Sequence, residues 1–297
     1  MTDRGASPPR NARALPATRG NEMAKVRYVK DLSKTGSTGG IGSASMRTSV
    51  RTFRAIYETE PEIAAAVLPK PLVLTEPKIF VQFAHVIMHL SDTNKIEIGA
   101  ATVGVACEAE GVKGWYVLSM PMEGDFVCIT GREVFGEPKK IASVDFDVAG
   151  DKIKVAVKRN GIKFIEMEGT IGESKGPAEF TENFFCYKGM PSITRRGGFD
   201  GPVFLTQLDW ERKYTDMKKI ADAKITLNES PFDPIADVPV KKVLEAFYCE
   251  GGSITSGKIL REVPSEWLDA FWHQRFDEPG IQGIEVPLES EKKVANA

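Results

Sequence analysis

Lys152-Ile153-Lys154-Val155-Ala156-Val157-Lys158, then Asn160-Gly161, then Ile162-Lys163-Phe164-Ile165-Glu166-Met167-Glu168 is the stretch that decides the fold class. The first run alternates charged and apolar residues with period two, as a strand with one face in a core must. The second is rich in the β-branched and aromatic residues that suit a pleated surface. Asn-Gly between them predicts a two-residue type I′ turn, because both residues tolerate positive φ. Working outward, further extended runs are expected at 79–88, 115–120, 126–130, 204–210, 223–227 and 243–248. Helical signals are few. Thr59 with Glu62 forms a capping-box pattern before a short helix at 63–68, which Pro69 and Pro71 stop. Ser265 is placed to cap a late helix carrying Trp267, Leu268, Phe271 and Trp272 on one face. The expected fold is α+β but β-rich: a curved or closed antiparallel sheet with a few flanking helices.

Composition narrows the function classes. The 297 residues, 42% of them hydrophobic, are enough for a substantial core. A net charge of −2 argues against a nucleic-acid partner, which needs a concentrated basic face. Residues 1–22 are rich in Pro, Ala and Arg and lack an apolar run, so no signal peptide or membrane anchor is expected there. Met23 is a possible alternative start. The expected organisation is a flexible segment at 1–45, one domain at 46–285 and a frayed tail at 286–297. Cys107, Cys128, Cys186 and Cys249 are widely spaced, which reads as buried thiols in a reducing, cytoplasmic setting.

Two motifs point elsewhere and are set aside on context. Thr35-Gly36-Ser37-Thr38-Gly39-Gly40-Ile41-Gly42 and Tyr214-Thr215-Asp216-Met217-Lys218 match the glycine turn and Y-x-x-x-K of short-chain dehydrogenases. Such a turn binds pyrophosphate only between a buried strand and a helix. Here the flanks are too polar before it and poor in helix formers after it. His85 and His89 have a spacing that zinc sites use, but they fall in a strand-like run with no third ligand evident, so no metal is expected.

The chemistry gathers around Gly131-Arg132-Glu133-Val134-Phe135-Gly136-Glu137-Pro138-Lys139-Lys140. Paired lysines usually sit on a wet surface. Held out of water, a lysine loses its preference for the charged form, and a neutral amine attacks ketones. Gly131-Arg132-Glu133 followed by Pro138-Lys139-Lys140 resembles the active-site segment of acetoacetate decarboxylases. Leu68-Pro69-Lys70-Pro71-Leu72 before Glu76-Pro77, and Gly111-Val112-Lys113-Gly114 with Tyr116, agree in order. So do Ala223-Lys224-Ile225-Thr226 and Pro234-Ile235-Ala236-Asp237-Val238-Pro239-Val240-Lys241. The resemblance runs from Val50 to the mid-250s. It implies a β-cone fold, a lysine Schiff base without metal or organic cofactor, and a large homo-oligomer.

Carried over residue by residue, Lys139 matches the Schiff-base lysine and Lys140 its neighbour. Glu97 matches the family's acid, with a few residues inserted before Gly111. Gln82 stands where the family has a further acid, and Val50 where it has an arginine, which leaves Arg51 or Arg132 as candidates for recognising a carboxylate. A lysine with a pKa of ~10.4 is neutral only about 0.04% of the time at pH 7, and bringing that pKa to near 7 means disfavouring the cation by roughly 5 kcal/mol. The resemblance itself implies a lowered lysine pKa. On an extended segment Lys139 and Lys140 would face opposite ways, which favours desolvation by Phe135 and its apolar neighbours over the charge of Lys140.

Three functions follow. One is a carboxy-lyase acting on a small-molecule β-keto acid, acetoacetate or a close analogue, through Lys139. A second is a Schiff-base aldolase-dehydratase acting on a 2-oxo acid. The third is a non-catalytic barrel that binds small molecules. No nucleic-acid or membrane partner is expected.

Overall fold

The computed structural model describes residues 26–29, 31, 33, 48–89, 93–278 and 280–289. The chain divides into two units, 1–40 and 41–297, and every strand and helix described below lies in the second. The dehydrogenase-like glycine turn at 35–42 falls outside the described residues, whereas Tyr214 and Lys218 lie on a strand.

Twelve strands carry the fold: β1 (Thr48–Glu58), β2 (Val73–His89), β3 (Lys95–Ala109), β4 (Val112–Met122), β5 (Lys139–Ile141), β6 (Ser143–Ala149), β7 (Lys152–Arg159), β8 (Ile162–Ser174), β9 (Ala178–Pro191), β10 (Phe199–Ile220), β11 (Lys224–Leu227) and β12 (Lys242–Val263). The order β12-β1-β2-β3-β4-β9-β10 closes on itself because β10 also pairs with β12, which makes a seven-strand barrel. Closure removes free edges from this part of the sheet. Most pairings are antiparallel, but β4 pairs in parallel with both β5 and β9. The 152–168 hairpin forms as its sequence predicts, with Asn160 at φ 51° and Gly161 at φ 84°.

Period-two alternation sends side chains to two different cores. On one face, Phe53, Tyr57, Ile79, Val81, Phe83, Val103 and Val105 pack with Ile153, Val155, Val157, Phe164 and Ile165 of the β6–β8 layer. Phe53, Phe83 and Phe164 are fully buried there, and each contributes roughly 1.5–3 kcal/mol by leaving water. On the other face, Phe80, Met120, Met122, Phe184, Cys186 and Leu208 form a smaller cluster.

Three local expectations are corrected. The run 126–130 is helical, within α2 (Asp125–Phe135), rather than extended. Glycines at both ends delimit this helix: Gly124 precedes it, and Gly136 at φ 82° closes it with its N–H on Arg132 O. The first helix, α1 (Pro61–Ala66), starts on Pro61 with no side-chain cap, so the Thr59/Glu62 box does not form. Proline supplies the start instead, since its missing N–H costs nothing in the first turn. The late helix is broken into two 3-10 turns, Ser265–Trp267 and Asp269–Phe271, followed by one α turn, α3 (Trp272–Arg275). All four cysteines are free and buried. Among the described residues no helix is long and apolar enough to cross a membrane.

Candidate active site

The inward face of the barrel lines a cavity of about 260 Å³. Val50 and Thr52 of β1, Gln82, Ala84 and Val86 of β2, and Ala100 and Thr102 of β3 contribute every second residue to its wall. Met120 and Met122 of β4 continue it, α2 covers it with Val127 and Gly131, and Trp210 and Arg212 enter from β10.

Lys139 reaches this cavity because of how α2 ends. Gly136 takes the left-handed conformation, Glu137 N–H bonds back to Gly131 O, and Pro138 prevents the helix from continuing. The chain then runs extended into β5, where Lys139 pairs with Met120. Residues two apart on an extended segment share a face, so Glu137 and Lys139 point the same way. Their side chains pair at 2.7 Å between Lys139 Nζ and Glu137 Oε2, and both are largely buried. Lys139 Nζ also donates to Val127 O at 3.4 Å. Phe135 lines the same cavity, where it helps to keep water from the amine.

Lys140 faces the opposite way. Its ammonium donates to Phe232 O, Asp233 Oδ1 and His273 O at 3.1–3.2 Å, and it meets Asp277 Oδ1 at 3.3 Å. Arg159 bonds the other oxygens of Asp233 and Asp277, which closes a ring of two cations and two carboxylates. Lys140 thus serves this ring, away from the cavity that Lys139 lines.

The remaining predicted site residues separate into those at the cavity and those away from it. Gln82 is on the wall, buried, with Oε1 unpartnered among the described residues. Glu97 is not there: it lies on the exposed side of β3, paired with Lys95 and with His85 at 3.4 Å. The Lys95 hydrogen bond and charge hold its carboxyl below the usual range. The carboxylate beside Lys139 is Glu137 instead. Arg51 is also displaced, exposed on β1 against His85 and over the Phe146 ring. The one-residue offset from Val50 puts it on the wrong face. Arg132 does not line the cavity; it donates to Lys139 O at 2.7 Å and Arg275 O at 3.0 Å. Arg275, whose pKa burial lowers to about 10, donates in turn to Gly136 O, Tyr187 O and Arg132 O. The two arginines brace the loop that presents Lys139.

Two residues escaped the sequence reading. Glu137 was visible as the acid two places before Lys139 on an extended segment. Arg212 was harder to find: only the alternation Leu208, Trp210, Arg212, Tyr214 marks it as inward-facing.

The fold and site define a closed barrel with a buried lysine–carboxylate pair on the wall of a mainly apolar cavity. A profile of the acetoacetate decarboxylase (ADC) family matches residues 33–263, and the chain belongs to that family. It is 27% identical over 206 residues to an acetoacetate decarboxylase of Burkholderia vietnamiensis, covering 64% of this chain and 77% of that one. The fold is similar to that of acetoacetate decarboxylase from Legionella pneumophila, with a TM-score of 0.62, 17% identity and coverage of 80% of this chain and 99% of that one. It is also similar to that of the enduracididine biosynthesis enzyme MppR in complex with pyruvate, with a TM-score of 0.61, 15% identity and coverage of 73% and 90%.

Proposed function

We propose that this protein is a carboxy-lyase that decarboxylates a β-keto acid through a Schiff base on Lys139. The observation that carries this reading is the buried Lys139–Glu137 pair at 2.7 Å on the wall of a largely apolar cavity. Glu137 is placed to take the proton that Lys139 must lose before it attacks. The amine adds to the ketone carbon, the carbonyl oxygen leaves as water, and an iminium remains. The bond to the carboxylate then breaks. Its electron pair forms the enamine double bond, neutralising the iminium nitrogen, and carbon dioxide departs. A proton on carbon and one water return the ketone product and free Lys139. Carbon dioxide leaves most readily from an apolar site that does not stabilise the carboxylate, and the Met120, Met122, Val127 and Phe135 surroundings meet that need.

The second reading, aldol addition and dehydration on a 2-oxo acid, is favoured by the fold's likeness to MppR bound to pyruvate and by the same Glu137, which could serve the extra proton transfers. Incubation with acetoacetate and borohydride, followed by peptide mass mapping, tests for the covalent step at Lys139. Carbon dioxide release then separates decarboxylation from aldol chemistry, and a Lys139 left unmodified by acetoacetate, by a β-keto diacid and by pyruvate alike would sink both.

A further inference from the structure

Arg212 is 3% exposed, and its Nη2 has no hydrogen-bond partner among the described residues. The residue belongs to a buried trio. Arg54 grips Glu182 with both terminal nitrogens, at 3.2 and 2.5 Å, and Arg212 Nε bonds the same carboxylate at 2.9 Å. Two cations share one anion, so the trio carries an uncompensated positive charge. Arg212 is the member that also lines the cavity. The Trp210 ring lies 4.4 Å from its guanidinium, covering a face and leaving the edge for hydrogen bonding. Trp210 Nε1 and Gln82 Oε1, which line the same cavity, are likewise unpartnered among the described residues. The one carboxylate among the described residues lining the cavity is Glu137, and Lys139 occupies it.

A buried guanidinium edge without a partner is costly unless a ligand fills it, and a carboxylate matches it best. In decarboxylation that carboxylate cannot profitably be the one lost. Gripping the departing group stabilises the starting state more than the transition state, in which its charge is moving away. Arg212 therefore suits a carboxylate that stays on the molecule. Lys139 enters from β5 beside Met120, whereas Arg212 enters from β10 beside Ser253 of β12. One ligand reaching both groups needs a ketone and a separate carboxylate.

Building on the Schiff-base reading, we propose that Arg212 anchors a retained carboxylate and that the substrate class is a β-keto diacid rather than acetoacetate. The test compares 4-oxopentanoate, the ketone left when 3-oxoadipate loses carbon dioxide, with 2-pentanone, which lacks the carboxylate. In wild-type protein, borohydride should fix 4-oxopentanoate on Lys139 about 10- to 100-fold more readily than 2-pentanone. Arg212→Gln, checked for folding by circular dichroism, should trap the two alike. Equal trapping by wild-type protein overturns the assignment without relying on any variant. Calorimetry with pentanoate and 1-pentanol decides Arg212 separately, since neither forms a Schiff base. Pentanoate should bind more tightly, and the difference should vanish in Arg212→Gln. If that preference holds while no ketone modifies Lys139, the Arg212 anchor stands and the Schiff-base reading falls. If ketones modify Lys139 but the preference is absent or unchanged in Arg212→Gln, the anchor falls alone.

Discussion

Glu137 and Lys139, two residues apart across Pro138, turn their side chains to the same face and pair at 2.7 Å inside the barrel. An ion pair so placed serves catalysis only if its proton can move. Glu137→Gln keeps the shape and removes the acceptor. Turnover on a keto acid should fall about 100-fold or more, the usual scale for losing a general base. Borohydride trapping should become slower without disappearing, because Lys139 remains. Stopped-flow trapping and carbon dioxide release check this; unchanged rates in the variant would leave Glu137 a structural partner only.

Lys140 makes the opposite expectation. Its charge completes the ring with Asp233, Arg159 and Asp277. Lys140→Met leaves Asp233, which is 4% exposed at its side chain, with one cation fewer. The loss in stability should be about 3 kcal/mol, the scale for breaking a buried pair by removing one member. Urea unfolding measures it. Trapping at Lys139 should survive, whereas Lys139→Ala should abolish trapping and turnover.

The sequence carried the barrel further than it carried the site, for physical reasons. Strand alternation is local, so 152–168 announced its hairpin. Closure through a parallel β4–β9 contact involves two residue pairs far apart in sequence and left no periodic mark. Residues 126–130 look like a strand by composition, yet they wind into a helix because Gly124 and Gly136 delimit it and Val127 and Cys128 pack on the small cluster. The Schiff-base candidate Lys139 was legible because it sits in a contiguous motif. Glu97 was misplaced because motif spacing across an insertion does not fix which face a side chain takes. Arg212 acquires its meaning from Glu182 and Arg54, residues brought together only by the closed sheet.

The acid limb of stability should follow Glu182. Burial alone would push its carboxyl up, but the charges and hydrogen bonds of Arg54 and Arg212 outweigh this and hold it below the usual range. Burial likewise opposes, and Arg159 and Lys140 outweigh, at Asp277, which is also lowered. A carboxyl lowered in the folded state contributes its full stability above the unfolded value, ~4.3 for Glu and ~3.9 for Asp, and loses it as pH falls through the folded value. His273 is held low by burial and by Lys140. It adds an earlier loss that starts as pH falls below ~6.5, where the unfolded imidazole takes up a proton that the folded one refuses. Urea midpoints should therefore decline gently below about pH 6.5 and steeply below about pH 4. Glu182→Gln should lower stability at neutral pH and flatten the steeper part. An unchanged steep limb in that variant would assign acid unfolding to other groups.

Gly131 gives the sharpest separation of fold from chemistry. It lies inside α2, where alanine would ordinarily stabilise by about 1 kcal/mol through helix propensity. Its position over the site forbids the gain: a Cβ there would fall on Glu137 Oε2 and on Lys139 Nζ and Cδ. The lysine side chain is flexible and the helix is not, so the pair yields first. Gly131→Ala should thus fold, with its urea midpoint close to wild type because propensity offsets the crowding. Turnover and borohydride trapping should fall together, since displacing reacting atoms by about 1 Å can cost on the order of 100-fold. Gly257 is the internal control. A Cβ there would press on Phe135, which lines the same cavity without bearing a charge. Gly257→Ala should reshape the apolar wall and change which ketones bind, while leaving the Lys139–Glu137 pair able to react. If Gly131→Ala trapped ketones as fast as wild type, the close approach of α2 to Lys139 would have no bearing on the chemistry.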